Sequence, residues 1–350
     1  MSSSARPVVS GIDVTPATSA GPAALVWRHA PDGAGAPPDE IWMVPLAGGD
    51  AKRVVRFPQG FASRNGNCGE PAFAPGGTRV AVVAALDLPA RGAIGCRIVV
   101  IDLRSGNSAA LAPDATPWDD LPAWSPDGTR VAFLRSGADR VQSSERQEVW
   151  IANADGSGAR QLFIARRGVG YPLVWAPDGK TILTGGLRLL ATLDVATTTW
   201  TDTPLHVDDL AVRAEHPQVA AVVAGTPRIE AFDVPVRERS LVVNATGVSL
   251  QLPRWRPGRD ELLYLRQDRT TTMIGVAAVG GAERVLATTQ GATCAEWTPD
   301  GASIVFCAVG ARPWVSRSLR IVGADGQGER ELWKLDPATD VTIATVFLPK

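Results

Sequence analysis

Trp124-Ser125-Pro126-Asp127-Gly128, followed by the apolar run Val131–Leu134, is the stretch of this sequence that decides its fold. Proline fixes φ at the second position of a turn, and Asp-Gly supplies residues that tolerate the left-handed region. The phrase therefore predicts a tight turn between two strands. Related phrases occur at Phe73-Ala74-Pro75-Gly76-Gly77, Trp175-Ala176-Pro177-Asp178-Gly179, Glu215-His216-Pro217, Trp255-Arg256-Pro257-Gly258 and Trp297-Thr298-Pro299-Asp300-Gly301.

These phrases form a repeat, because their prolines follow one another at intervals of 40 to 51 residues. A second hairpin signal follows each of them, for example Val149–Ala152 before Asp155-Gly156. Two hairpins per repeat give four short antiparallel strands in roughly 40–50 residues, which is the size of one propeller blade.

We therefore expect an all-β fold, a seven-bladed β-propeller of four-stranded antiparallel blades, with six or eight blades as alternatives. Phe347-Leu348-Pro349 repeats the aromatic–x–Pro spacing at the chain's end. The strand before it, Val341–Val346, is expected to pair with Ala23–Arg28 and complete blade one. Such closure removes open sheet edges.

Composition and net charge indicate the domain organisation of the chain and the partners it is expected to have. Residues 1–20, rich in Ser, Pro, Ala and Gly, are expected to be a flexible lead-in, and residues 21–350 a single propeller domain. No apolar run reaches the roughly 18 residues of a membrane span. With a net charge of −1, a nucleic-acid partner is not expected. We expect a monomer.

The repeat resembles a known family. The W-S-P-D-G phrase at Trp124–Gly128 and the segment V-W-I-A-N-A-D-G-S-G-A-R-Q-L at Val149–Leu162 are similar to TolB-type propeller repeats. Propellers of certain bacterial surface lipoproteins carry similar repeats. The resemblance covers roughly residues 22 to 350 and implies a propeller used as a binding platform, often outside the cytoplasm. It transfers no catalytic residue.

Loop lengths predict which face binds. The hairpin turns are uniformly tight, whereas several connections on the opposite face are long, such as residues 58–69 and 136–147. Recognition usually resides in long loops. Candidate binding residues on that long-loop face and at the channel mouth are Asn67, Asp119, Asp120, Arg140, Arg146, Arg166, Tyr171, His206, Asp208, Asp209 and Trp314.

Two acidic pairs, Asp119-Asp120 and Asp208-Asp209, could hold a hard cation such as Ca²⁺ at the channel mouth, because Ca²⁺ prefers oxygen ligands. Solvated turns or capping carboxylates explain the pairs equally well. No other cofactor is expected, and no metal site is assigned.

Glu215 stands where the other phrases have Trp or Phe. A carboxylate between two sheets must be paired to stay ionised. We expect a structural ion pair between Glu215 and Arg254 of the next repeat, with Arg213 as a nearer alternative.

The four cysteines predict two disulfides. Counted from the turn centre at Asp300-Gly301, Cys294 and Cys307 are opposite one another on adjacent strands, close enough to bridge. Cys68 and Cys96 are expected on the same face of one blade. Four buried thiols are the alternative. Disulfides favour an extracytoplasmic location, in the periplasm or at the cell surface. Residues 1–20 lack a signal-peptide pattern, so this location implies a removed leader, and the alternative is the cytoplasm.

Three functional hypotheses remain. The sequence contains no G-x-S-x-G, H-E-x-x-H or dinucleotide-binding glycine motif. The first hypothesis is a non-enzymatic scaffold that recognises a protein or peptide through the long-loop face. The second is a hydrolase or lyase with a channel-mouth site at Asp120, Asp209 and His206. The third is a sensor of a small ligand.

Overall fold

The computed structural model of the protein describes residues 12–15, 21–29, 38–58, 71–88, 93–112, 118–136, 147–165, 170–185, 189–236, 238–286, 288, 291–309, 316–335 and 340–347. All regular secondary structure within these ranges is β-strand. The all-β prediction is therefore confirmed for this part of the chain.

The strands follow one another with short connections at the predicted turns. The first twelve are β1 (Asp13–Val14), β2 (Ala23–His29), β3 (Glu40–Pro45), β4 (Lys52–Arg56), β5 (Ala72–Phe73), β6 (Arg79–Leu88), β7 (Ala93–Asp102), β8 (Ser108–Ala110), β9 (Trp118–Trp124), β10 (Arg130–Ser136), β11 (Gln147–Asn153) and β12 (Arg160–Ala165). The next eight are β13 (Gly170–Trp175), β14 (Thr181–Gly185), β15 (Ala191–Asp194), β16 (Trp200–Asp202), β17 (Val207–Val212), β18 (Gln218–Val223), β19 (Arg228–Asp233) and β20 (Arg239–Asn244). The last nine are β21 (Ser249–Trp255), β22 (Glu261–Gln267), β23 (Thr272–Ala278), β24 (Glu283–Val285), β25 (Ala292–Trp297), β26 (Ser303–Val309), β27 (Ser316–Gly323), β28 (Arg330–Lys334) and β29 (Asp340–Phe347).

These strands form a propeller of four-stranded antiparallel blades. Four sheets are separate meanders of four strands, β13–β16, β17–β20, β21–β24 and β25–β28. An eight-stranded sheet contains two further meanders, β5–β8 and β9–β12, joined by a parallel bridge between Cys96 and Trp118. Each blade is named below after its first strand, so that the β21 blade is β21–β24.

The remaining sheet has five strands in the order β1-β4-β3-β2-β29. Strand β29 pairs with β2 in antiparallel register, from Ala23 opposite Phe347 to His29 opposite Asp340. At the other edge, β1 pairs with β4. Residues 13–14 lie within the expected lead-in of residues 1–20, and Val14 packs against the apolar cluster of this sheet.

The hydrophobic core lies between blades. Each cluster draws buried side chains from neighbouring sheets, as Leu25 and Val80 do in one cluster, and Val222 and Leu262 in another. Every sheet is therefore apolar on both faces, and no blade can bury its surface alone.

The Pro-Asp-Gly phrases form the predicted turns. Gly128 N donates to the Ser125 carbonyl oxygen at 2.8 Å. The Asp127 carboxylate accepts from the Ser125 hydroxyl at 2.5 Å and from Thr129 N at 3.0 Å. Gly128 has a φ of 67°, which is why glycine follows the aspartate there.

The turn tryptophans join adjacent blades. Each indole Nε1 donates to a backbone carbonyl oxygen in the preceding blade's first strand. The donor–acceptor pairs are Trp124–Ala72 (2.9 Å), Trp175–Ala123 (3.0 Å), Trp255–Ala211 (3.2 Å) and Trp297–Arg254 (3.2 Å).

Arginines of the preceding blade cover the same indoles. Arg130 stacks over Trp175, with its guanidinium carbon 4.8 Å from the ring centroid, and donates to the Gly179 carbonyl oxygen at 2.8 Å. The same stacking occurs for Arg79 over Trp124, Arg213 over Trp255 and Arg256 over Trp297. We call each of these contacts an arginine–tryptophan clasp; together they fasten successive blades near the tight turns.

The predicted Glu215–Arg254 ion pair is wrong. Glu215 is exposed in a turn, and Arg254 forms its salt bridge with Glu296 in the β25 blade. Arg213, the nearer alternative for Glu215, pairs with Asp260.

The error comes from taking Pro217 as the turn proline. Arg213 N donates to the Gln218 carbonyl oxygen, as Ser125 N does to Arg130. Val212 therefore occupies the tryptophan position of the β17 blade, and Glu215 occupies the exposed position of the turn aspartate.

The predicted Cys294–Cys307 disulfide is present, with the two residues directly opposite one another in β25 and β26. Cys96 is disulfide-bonded as well. Its expected partner, Cys68, lies outside the described residues. The alternative of four free thiols does not agree with this structure.

Candidate functional site in the central channel

First strands of six blades surround a cavity of about 860 Å³ along the propeller's central channel. The cavity extends to the ends of these strands that carry the tight turns. Its lining residues are Pro71, Ala72, Leu121, Pro122, Leu173, Val174, Leu210, Ala211, Val212, Arg213, Ala214, Glu215, Leu252, Arg254, Trp255, Arg256, Pro257, Gly258 and Glu296.

The cavity has two unlike walls. The β5, β9 and β13 blades contribute only apolar side chains, Pro71, Ala72, Leu121, Pro122, Leu173 and Val174. All charged lining residues come from the β17, β21 and β25 blades on the other side. A ligand in this channel would meet hydrocarbon on one side and ionic groups on the other.

Register explains which side chains reach the cavity. The residue directly before the turn aromatic occupies an equivalent position in each first strand. The pairing with the second strand shows this: Arg254 lies opposite Leu263, and Glu296 lies opposite Val305. The equivalent lining residues in other blades are small or apolar, namely Ala72, Val174 and Ala211. The ion pair of Arg254 and Glu296 is therefore peculiar to the junction of the β21 and β25 blades.

The Arg254–Glu296 pair is the central charged feature of the channel. Arg254 Nε lies 3.1 Å from Glu296 Oε2, and Glu296 Oε1 accepts from the Trp297 backbone N at 3.0 Å. The two side chains remain 33% and 29% exposed, so that both face the cavity. Desolvation raises the pKa of Glu296 above its ordinary value, and the positive charge of Arg254 opposes that rise.

Other charged groups mark the turn end of the cavity. Arg213 forms a salt bridge with Asp260, and Arg256 forms one with Glu261. The two guanidinium groups also stack over Trp255 and Trp297, respectively. Glu215 adds an exposed carboxylate at this rim.

Two channel residues have strained backbones. Leu121 and Leu252 both have φ of 50°, which side chains other than glycine rarely adopt. Leu121 N donates to Asp120 Oδ1 at 2.7 Å, and Leu252 N donates to Asp209 Oδ2 at 2.9 Å. Both sit in β-bulges, and such strain concentrates at functional sites.

The predicted acidic residues mostly have structural roles. Asp119 is buried and pairs with Arg135, whose Nε and Nη2 lie 2.7 and 2.8 Å from the two carboxylate oxygens. Asp209 accepts from Leu210 N as well as from Leu252 N, so it ties the β17 blade to the β21 blade. These carboxylates hold backbone and guanidinium groups in place.

The other predicted residues do not converge on the cavity. His206 and Asp208 are exposed and lie outside its lining, as does Asp120. For Tyr171 only the backbone, in β13, is described. The remaining candidates, Asn67, Arg140, Arg146, Arg166 and Trp314, lie outside the described residues.

Within the described ranges, no group of three or more His, Cys, Asp or Glu side chains could hold a metal ion. The same ranges contain no helix long and apolar enough to span a membrane.

Sequence reasoning missed Glu296 and gave Arg254 the wrong partner. One signal was available, because Arg254 and Glu296 each directly precede a turn tryptophan, where the other phrases have Ala or Val.

The sequence similarity to known proteins covers only part of this chain. No family model matches the chain. An uncharacterised peptidase of Bacillus subtilis, YuxL, is 32% identical over 114 residues, which is 33% of this chain and 16% of the peptidase. The chain thus spans about a sixth of that curated relative.

Solved structures share the fold. A prolyl endopeptidase matches 95% of this chain and 50% of its own, with 15% identity and a TM-score of 0.62. The periplasmic gluconolactonase PpgL of Pseudomonas aeruginosa matches 93% of this chain and 99% of its own, with 14% identity and a TM-score of 0.59. At these identities the likeness establishes the propeller fold alone.

These findings correct the leading functional hypothesis. A non-enzymatic binding scaffold is contradicted, because the curated relative is an uncharacterised peptidase. The hydrolase alternative agrees better with this relative.

Proposed function

We propose that this chain is the propeller part of a peptidase and that its central channel receives the peptide substrate. The observation that carries the proposal is the channel cavity itself, with an apolar wall facing the partly exposed Arg254–Glu296 pair. The local similarity to the peptidase YuxL supports the same reaction class.

The cavity suits a peptide in size and polarity. Ligand pockets commonly measure about 300–1,000 Å³ and combine an apolar lining with a few placed polar groups. A short peptide carries apolar side chains and charged or hydrogen-bonding groups on one molecule, which matches the two walls.

The hydrolytic step is assigned to a catalytic domain that works with this propeller, on the same or another polypeptide. The sequence lacks the G-x-S-x-G nucleophile motif. Asp209 is one of the acids of the channel-mouth hypothesis, and both of its carboxylate oxygens accept hydrogen bonds from backbone N–H groups. The role proposed for the described residues is to admit and orient the substrate.

A binding assay tests this function. Fluorescence anisotropy of a short, labelled, unstructured peptide should show saturable binding to the full chain, reversed by the unlabelled peptide. Gluconolactone should neither compete nor be consumed. Absence of peptide binding, or turnover of the lactone, would contradict the proposal.

We also propose a seven-bladed ring closed by the C-terminal strand, of TolB type. The support is the pairing of β29 with β2 and the composition of the eight-stranded sheet, which contains two complete meanders. The repeated phrases around Trp124 and Trp175 support the TolB-type assignment.

An extracytoplasmic location completes the proposal. It is supported by the Cys294–Cys307 bond and by the oxidised state of Cys96, since disulfides persist in oxidising compartments. Thiol titration of the protein, isolated from its natural source and then denatured, should find no free thiol. Four free thiols would contradict this location.

A further inference from the structure

We infer that the channel recognises both charged ends of a short apolar peptide, with Arg254 binding the terminal carboxylate and Glu296 the terminal ammonium. This inference rests on the proposed function and narrows it, because it names the ligand as a zwitterionic dipeptide or tripeptide with free termini.

The first argument is the arrangement of opposite charges. Arg254 and Glu296 project from adjacent first strands at equivalent positions, and about a third of each side chain faces the cavity. A zwitterion placed across this pair would set each of its charges against the opposite one. Arg is well suited to the carboxylate because its planar guanidinium can donate two parallel hydrogen bonds.

The second argument is the distribution of charge along the cavity. Glu215 lies at the turn end, and Arg213 and Arg256 near it are already matched by Asp260 and Glu261. Glu296 is matched by Arg254, so Glu215 is the carboxylate that makes the lining beside the pair favourable for an ammonium group.

The third argument is the opposite wall. Leu121, Pro122, Leu173 and Val174 present hydrocarbon to whatever occupies the channel, so the peptide's side chains should be apolar. Burying such side chains removes apolar surface from water and so favours binding.

End-group selectivity follows from desolvation. A bound ligand would exclude water from Arg254 and Glu296, and the hydrogen bonds that each makes to water must then be replaced by the ligand. With a peptide whose amine is acetylated or whose carboxyl is amidated, one member of the pair loses hydrogen bonds to water without regaining a charged group of the ligand. Sites built around such polar contacts reject analogues that lack the matching group.

Isothermal titration with leucyl-leucine, its N-acetyl derivative and its C-terminal amide tests the inference. The free dipeptide should bind at least about tenfold more tightly than either blocked form. The Arg254→Gln variant should lose only the discrimination against the amide, and Glu296→Gln only that against the acetyl form. Arg239→Gln removes a charge from an ion pair outside the channel lining and should preserve both preferences.

The outcomes distinguish end-group recognition from the proposed peptide-receiving function on which it rests. Equal affinity for all three ligands would overturn end recognition while leaving a peptide-receiving channel intact. Failure of these dipeptides and of longer peptides to bind would overturn both. The comparison of the three ligands on the unmodified protein decides the inference even if a variant fails to fold.

Discussion

At the scale of single residues, Gly275 shows how tightly the β21 blade is packed. A Cβ atom at this position would lie 2.3 to 2.6 Å from atoms of the Tyr264 ring. Tyr264 is fully buried, and its hydroxyl donates to Glu283. The ring therefore crosses the neighbouring strand at a place where only glycine leaves room.

We predict that Gly275→Ala lowers the free energy of unfolding by about 1–3 kcal/mol, because overpacking must displace the Tyr264 ring. Thermal and denaturant unfolding measure this. Gly21→Ala is the control, since nothing lies within 4 Å of its Cβ position. Equal stability of the two variants would contradict the packing assigned to Tyr264.

The turn aspartates predict a pH dependence. Hydrogen bonds from the Ser125 hydroxyl and from Thr129 N lower the pKa of Asp127 from 3.8 to about 2. As the pH falls below 3.8 the unfolded chain takes up the proton first, so the stabilisation from this carboxylate is complete above that pH and is lost towards pH 2.

We expect Asp127→Asn to reduce the loss of melting temperature on acidification, because asparagine does not titrate. Melting curves of the protein and the variant from neutral pH to about pH 2.5 provide the measurement. Identical acid sensitivity would show that Asp127 does not have its assigned hydrogen bonds.

At the scale of structural elements, the arginine–tryptophan clasps hold neighbouring blades together. Arg130 covers Trp175 and binds the Gly179 carbonyl oxygen, joining the β9 and β13 blades. Lys180 lies in the turn of the β13 blade, directly after its turn glycine, and is exposed. The equivalent of Trp175 in the next blade is Val212, which offers no aromatic face to a cation.

We predict that Arg130→Met lowers stability by about 1–2 kcal/mol, through loss of a cation–π contact and a hydrogen bond. Lys180→Met, which removes an exposed cation from the turn of the β13 blade, should change it by less than about 0.5 kcal/mol. The two unfolding free energies are compared directly, and equal losses would refute the clasp.

Elements were more predictable than contacts between them. The turn phrases and the Cys294–Cys307 pair could be foreseen because both follow from local geometry around one turn. The Glu215–Arg254 pair could not, because Pro217 imitates a turn proline three residues beyond its proper place. Facing directions also change at bulges, such as the one between Gln251 and Arg254, so alternation along the sequence misleads there.

At the scale of the whole molecule, the site depends on six blades that no single repeat specifies. The lining residues come from separate strands, and only the assembled propeller brings Leu173 and the Arg254–Glu296 pair to one cavity. The sequence therefore predicts the propeller, but the residues of the channel wall follow only from the assembled blades.

The Cys294–Cys307 bond supports this assembly from within one blade. Its closed loop, with a sequence separation of 13, should contribute roughly 3 kcal/mol by restricting the unfolded chain. The double replacement Cys294→Ser and Cys307→Ser is expected to lower the unfolding free energy by about that amount. Calorimetry in non-reducing buffer checks it, and unchanged stability would contradict the contribution of the bond.

The central claim, that substrate peptide occupies the channel, is tested most directly by closing it. Val174→Trp places a large ring in the apolar wall, whereas Val285→Trp places the same ring on an exposed outer strand. Labelled-peptide titration should show at least about tenfold weaker binding for Val174→Trp and unchanged binding for Val285→Trp. Full affinity in the folded Val174→Trp protein would place the peptide elsewhere and contradict the account.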